Sequence, residues 1–475
     1  MNLFINMLKQ ISNIGGLNLY VNPLDNPDGQ LIQSVNFDSY PYGAKSKRGG
    51  YAQHLGTANG SAPQTLFSWT KDDGSLYLYR KSGDKLYYST QGTAEWAVCG
   101  NGTMDANSHV GYEVLSNTLI IGDGVGSTRH TTNGTSFTNT SLAPVGEHFA
   151  EYQNRIYLGG TASTLFYSTT NDATNWNTGG TSDSSSFSIP GAGKINKVFK
   201  CSDRIVATKT SGIMNRWDGY NRTDMSTNLG PSSPYSVDQT EGYFFELNRL
   251  GIFSYGGDRP KLVSNAIQPQ IYNPQGNGIA GSIFNTAPGE IFRYDYLLSA
   301  GTITDDLTED RIANAIIKYN YQKNEFLNYR FAHFPTAMHS FTDINGNSRM
   351  IFGDSTGQCY LFGGTETSDN GTAIDCVMQY VVHFNTLQPK NWNNFQAIFN
   401  PGCQAKVQIA CSDSFEKTSK KWQDLGEIKN GVAEWRFKQG SSESTFLFIR
   451  ISESSKNARS ILYGFEVDGD IKKRS

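Results

Sequence analysis

One short phrase recurs along the chain: a polar turn, then Arg, Ser or Thr, then an unbroken apolar run. It is written as KDDGSLYLYR, LSNTLIIGD, YQNRIYLGG, CSDRIVATK, ELNRLGIFS and NGNSRMIFGD. With the first apolar residue as marker, the copies fall at Leu76, Leu119, Ile156, Ile205, Leu250 and Met350, at intervals of 43, 37, 49, 45 and 100 residues. YDYLLSAG, around Leu297, divides the last gap, so seven units result. A unit of this length, rich in strand and without helix, cannot bury both its faces alone and must stack on its neighbours. The expected fold is therefore an all-β, seven-bladed β-propeller in which each marker run is an inner strand of one blade.

Composition agrees with many short strands and tight turns. The chain has 49 Gly, 25 Tyr and 27 Phe, with only 17% charged residues, whereas helices would call for Ala, Leu, Glu and Lys. Asn-Gly pairs at Asn59, Asn101, Asn133, Asn345 and Asn370 suit the positive backbone angles of hairpin turns. A second echo, LYYSTQGTAEW and LFYSTTNDATNW, places Ser89 seven positions before Trp96 and Thr169 seven before Trp176. It resembles a degenerate Asp box, the hairpin turn of sialidase-like and other propellers, whose role is structural.

The net charge is −3 and the pI about 6.2, so the chain lacks the basic footprint that grips nucleic acid. Its first 20 residues hold no apolar run of secretory type, and nothing approaches the roughly 20 apolar residues of a membrane span. The expectation is a soluble protein assembled in a reducing cytoplasm. Six cysteines, Cys99, Cys201, Cys359, Cys376, Cys403 and Cys411, make no C-x-x-C pair, so neither zinc site nor disulfide framework is indicated.

Three regions are expected. Residues 1–55 read as an extended N-terminal arm, 56–366 as the propeller, and 367–475 as a small C-terminal β-sandwich, from the alternation in KVQIA and FLFIRIS. The Gly-, Ser- and Pro-rich stretches 178–194 and 268–290 read as insertions between blades, and long loops in such places are often functional. Gln270, Tyr272, Asn273, Gln275 and Asn277 are the candidate channel or interface residues.

A search for chemistry finds no nucleophile elbow, no phosphate-cradling loop and no metal-ligand spacing among the seven His. No catalytic residue, metal ligand or cofactor site is assigned, and the protein is expected not to be an enzyme. Arg155, Arg204, Arg249 and Arg349 precede the apolar run in successive units, so a central Arg cluster that clamps a carboxylate is one geometry. The other is that each Arg covers its own blade edge or pairs within its own turn.

The opening GGLNLYVNPLDNPDGQLIQSVNFDSYPYGAKSKRGGY, the middle FAEYQNRIYLGG and the closing FLFIRISESSKNARSILYGFEVDGD together resemble bacteriophage virion proteins of the tail hub or nozzle type, also called DNA-stabilisation proteins. The resemblance is one of architecture and loose motifs. It implies a structural virion protein of the phage tail, assembled in the host cytoplasm as a homo-oligomeric ring of six copies. Its partners would be portal, adaptor and other tail proteins, with genomic DNA passing unread and no membrane involved. The alternative is a receptor- or carbohydrate-binding propeller of a fibre or baseplate, then a sialidase-like glycan hydrolase.

Overall fold

The computed structural model of the protein describes residues 4–19, 26–27, 29–54, 56, 58–90, 95–160, 162–179, 182–219, 221–226, 228–240, 242–256, 260–272, 278–304, 311–384, 386–415, 420–426, 428, 431–437 and 443–472. Among these, helix is confined to short turns such as Pro234–Ser236, Gln268–Ile271 and Gly281–Phe284; the rest of the regular structure is strand. Six antiparallel four-stranded sheets stand as separate blades of a β-propeller: 63–103, 111–139, 148–188, 195–226, 238–262, and 337–362 completed by Tyr51–Gln53.

The expected count of seven separate blades is corrected to six. Strands Gly289–Phe292, Asp295–Thr304, Arg311–Asn320 and Glu325–Arg330, which carry Leu297, are not a sheet of their own. They run on through Leu31–Val35 into Cys376–Val382, Phe446–Glu453, Lys406–Ser412 and Gln423–Asp424 to make one nine-stranded sheet. The join is a parallel pairing of Val35 with Asn328, which covers an outer edge that would otherwise offer unpaired backbone groups.

The repeat read from sequence lands on one structural position. Leu76, Leu119, Ile156, Ile205, Leu297 and Met350 all lie on the second strand of a four-stranded meander, the strand with neighbours on both sides. Leu250 is corrected: it is an exposed turn residue, and Ile252 on Gly251–Tyr255 is the buried equivalent. Tight turns keep the register. Gln153 and Asn154, with φ of 50° and 57°, form the two-residue link between His148–Tyr152 and Arg155–Gly159, the geometry that matches strand twist.

The division at residues 55 and 366 cuts through sheets. Phe4–Ile11 pairs with Ile461–Lys472, and the hairpin of Phe37–Asp38 with Lys45–Lys47 extends the same sheet. Tyr51–Gln53 becomes the outer strand of the last blade beside Cys359–Phe362. The segment 367–475 likewise does not stand apart. Its strands, with those of the N-terminal segment, build a seven-stranded sheet packed against the outer part of the nine-stranded one. Tyr380 meets Phe465 across that core with ring centroids 5.0 Å apart. Trp392, Phe395, Val407 and Ile449 fill it, and it continues without a break to Tyr296, Leu298 and Ile317.

The basic run at residues 45–48 is buried rather than solvated, with Lys45, Lys47 and Arg48 at most 1% exposed. Buried cations survive only when paired and hydrogen-bonded. Lys45 binds Glu325 and Lys47 faces Glu453. Arg48 holds both oxygens of Asp369 at 2.8 and 2.6 Å, and also donates to the side chain of Asn36 and the carbonyl of Arg330. Its guanidinium lies 4.7 Å from the Phe331 ring. One residue thus ties the N-terminal segment, the nine-stranded sheet and the chain after the last blade.

Candidate functional site

The first strands of the six blades, together with Gly289–Phe292, converge on a central pit of about 370 Å³. Residues 64–66, 109–113, 147–150, 197–200, 235, 237–239, 288–290 and 336–339 contribute to its wall. Neighbouring wall strands are fastened by side chain to backbone. Val110 N–H donates to Thr65 Oγ1 at 2.9 Å, Glu151 N–H to Glu113 Oε2 at 3.2 Å, Ile291 N–H to Asp238 Oδ2 at 2.6 Å, and Ser340 N–H to Glu290 Oε1 at 2.6 Å. Lys200 and Glu151 add an ion pair at 3.3 Å. Blade edges that cannot pair strand to strand are joined this way, because each unsatisfied N–H needs a partner.

One side chain crosses the pit. Tyr235, in the turn Pro234–Ser236, stacks on His109, just before the blade 111–139, with ring centroids 3.5 Å apart. Its hydroxyl donates to Glu147 Oε1 at 2.9 Å. The pit is therefore spanned by an aromatic bar.

The pit is electrostatically unusual. Crowding by protein raises Glu113 to about 7 and Asp238 to about 6, and pushes Glu290 well above the usual carboxyl range, with Asp238 adding to that shift. These carboxyls line the pit and are half-buried. The same desolvation keeps the histidines neutral: His109 and His339 fall to about 4, and His148 well below its ordinary value. Burial also lowers Lys197, against the pull of Asp238, Glu147 and Glu290. No trio of His, Cys, Asp or Glu arranged for a metal ion occurs among the described residues.

The candidate positions from sequence fall elsewhere. None of Arg155, Arg204, Arg249 and Arg349 lines the pit. Arg155 binds Asp183 across its own blade, Arg349 bonds Asp343 at 3.2 Å and the Gly363 carbonyl at 2.9 Å, Arg204 lies 3.6 Å from Asp203, and Arg249 is exposed in a turn. Of the loop candidates, Gln270 is fully buried and accepts from Asn328 at 3.1 Å, while Tyr272 is exposed. Asn273, Gln275 and Asn277 lie outside the described residues. The stretch 268–290 is not a free insertion: Ile271, Ile279, Phe284 and Ala287 belong to the largest core. Likewise Ser185–Ser188, inside 178–194, is the fourth strand of its blade. Trp176 acts as the box resemblance implies, buried and donating to the Ala173 carbonyl at 2.9 Å.

The pit residues went unnoticed in sequence because they sit one strand upstream of the repeated phrase. The available signal was a lone acid in an otherwise apolar first strand, as in GYEVL and GEIF.

No protein-family model matches the chain, and no curated protein matches it. Among solved structures it is similar to the computationally designed Ika8 protein, at 10% identity over 66% of this chain and 99% of that one, with a TM-score of 0.41. It is also similar to the Neurospora crassa Pan2 WD40 domain, at 8% identity over 66% and 95%, TM-score 0.43. A third is YCF48 bound to D1 peptide, at 10% identity over 66% and 96%, TM-score 0.41.

Proposed function

We propose that the protein is a structural component of a bacteriophage tail, a nozzle or hub subunit that assembles as a six-membered ring continuing the DNA channel. The observation that carries this reading is the interlock of the two chain ends. The N-terminal strand Tyr51–Gln53 closes the propeller, and the strands that precede it are woven with C-terminal strands into two further sheets. Opening the wall would mean stripping several paired strands at once, a property suited to a conduit under internal pressure. In this reading the strands from Gly289 to Arg330 serve as a seventh sector of the propeller wall, and the terminal sheets form the second body of the subunit.

A duplex does not pass along the propeller axis, which is a small pit spanned by Tyr235. The bore lies between copies, where a chain of net charge −3 would exert little salt-sensitive drag on DNA. The exposed aromatics Tyr40 and Tyr42, flanked by Arg459 and Lys323, are the subunit contact we assign, since aromatic and Arg residues dominate interface energetics. Sedimentation of the purified chain at rising concentration tests this. A discrete ring-sized species is expected, and it should be lost in Tyr40→Ser/Tyr42→Ser. A monomer at every concentration would refute the reading.

A further inference from the structure

We propose that Asn370 is a site of non-enzymatic modification, placed to convert to isoaspartate through a cyclic imide and thereby to loosen the strand Tyr51–Gln53 that completes the last blade.

The first observation is the clasp to which Asn370 belongs. Asp369 and Thr372 exchange backbone hydrogen bonds of 2.8 and 2.9 Å around a two-residue turn, in which Asn370 and Gly371 have φ of 48° and 81°, the geometry that an Asn-Gly pair adopts most easily. The chain from Glu366 to this turn lies along the closing strand. Gly50 N–H donates to the Glu366 carbonyl at 2.7 Å and Tyr51 N–H to the Ser368 carbonyl at 3.1 Å. Asn370 N–H donates to the Tyr51 carbonyl at 2.7 Å, and Asn370 Oδ1 accepts from Gln53 N–H at 3.3 Å. Asn370 thus grips the strand with both backbone and side chain.

The second observation is the state of the next amide. Imide formation begins when the backbone nitrogen after an asparagine attacks its side-chain Cγ, and glycine, without a Cβ, hinders that attack least. Two of the chain's Asn-Gly pairs, at Asn277 and Asn430, lie outside the described residues. In three of the others the attacking nitrogen is engaged: Gly60 N–H donates to the Thr356 carbonyl at 3.0 Å, Gly134 N–H to Thr131 Oγ1 at 3.1 Å, and Gly346 N–H to the Asp343 carbonyl at 2.9 Å. Asn101 lies within the strand Ala97–Thr103, and its carboxamide donates to the Phe137 carbonyl at 3.2 Å. Gly371 N–H has no hydrogen-bond partner among the described residues. Asn370 and Gly371 are both exposed, and a Cβ on Gly371 would meet nothing within 4 Å, so hydroxide and water reach the reacting atoms.

The chemistry needs only water. Gly371 N gives its proton to hydroxide and bonds to Asn370 Cγ, and the side-chain nitrogen leaves as ammonia. Water then opens the imide. Opening at Cγ gives aspartate, whereas opening at the main-chain carbonyl gives isoaspartate, whose backbone runs through the former side chain. The chain is then one methylene longer inside a two-residue turn, so the bonds between Asp369 and Thr372 and the grip on Tyr51 cannot all be kept.

Peptide mapping by electron-transfer mass spectrometry, on the full chain aged at pH 8 and 37 °C, tests the proposal. Asn370 should convert about fivefold faster or more than Asn59, Asn133 and Asn345, the factor set by one hydrogen bond to the attacking amide. Hydrogen exchange in the aged chain should be about tenfold faster at Tyr51–Gln53 in the modified fraction. Gly371→Ala, whose methyl faces open space but hinders the attacking nitrogen, should slow conversion and preserve the exchange protection, with circular dichroism melts establishing that it folds. Conversion at Asn370 no faster than at the other three, or unchanged exchange at Tyr51–Gln53 once residue 370 is isoaspartate, would overturn the proposal. Neither readout depends on ring assembly, which is read by sedimentation.

Discussion

Tyr235 and His109 lie in the segments that lead into two separate blades and meet face to face across the propeller axis, with ring centroids 3.5 Å apart. The contact joins two walls of the pit that share no strand pairing, and it also carries a hydrogen bond to Glu147. Tyr235→Phe keeps the stack and removes that bond, for an expected loss of about 1 kcal/mol. Tyr235→Ala removes both, at about 3 kcal/mol, and opens the pit. Diethyl pyrocarbonate should then modify His109 in Tyr235→Ala and spare it in the wild type, as read by peptide mass spectrometry.

Arg48 makes a second long-range tie. Its bidentate pairing with Asp369 is buried, so removing one partner leaves an uncompensated charge. Arg48→Met is expected to cost about 3–5 kcal/mol in urea unfolding. Arg48→Lys should recover only part of this, because a lysine cannot bind both oxygens in the same plane.

The pit carboxyls give a pH dependence with a definite sign. A carboxyl whose folded proton affinity is raised stabilises the fold fully below its unfolded range, and that contribution disappears as pH climbs through the folded value. Glu113, at about 7, and Asp238, at about 6, place the loss between about pH 4 and pH 7, with Lys197, Lys200, Glu147 and Glu290 as the other acidic and basic groups in the wall. Melting temperature should therefore fall across this window. Glu113→Gln should flatten the fall, gaining about 1–2 kcal/mol over the wild type at pH 8.

Gly111 tests the close approach of adjacent blades. A Cβ built there would lie 1.4 Å from the Glu147 carbonyl oxygen, backbone that has no rotamer with which to move away. Gly111→Ala is expected to destabilise by about 3 kcal/mol or to abolish soluble expression, whereas Gly74→Ala, whose Cβ meets nothing within 4 Å but whose φ is 83°, should cost about 1 kcal/mol.

The propeller was legible because its second strands are buried on both sides. Leu119, Ile156 and Ile205 are wholly buried, and such strands must be written as continuous apolar runs. The merging of Gly289–Phe292 and its neighbours into a larger sheet was not legible, since the pairing of Val35 with Asn328 spans most of the chain and leaves no local periodicity. The burial of Lys45, Lys47 and Arg48 was hidden for the same reason: partners such as Glu325, Glu453 and Asp369 lie hundreds of residues away. The Gly-, Ser- and Pro-rich composition of 268–290 suggested an insertion between blades, but Ile271 and Phe284 anchor it in the core. The pit was missed because seven unrelated short strands converge on it and no one of them carries a motif.

Single-particle imaging of the purified full chain tests the central claim most directly. The account predicts closed rings of six copies around an open bore, each copy with Tyr51–Gln53 hydrogen-bonded beside Cys359–Phe362. Isolated copies at all concentrations, or rings whose bore is the propeller axis itself, would contradict it.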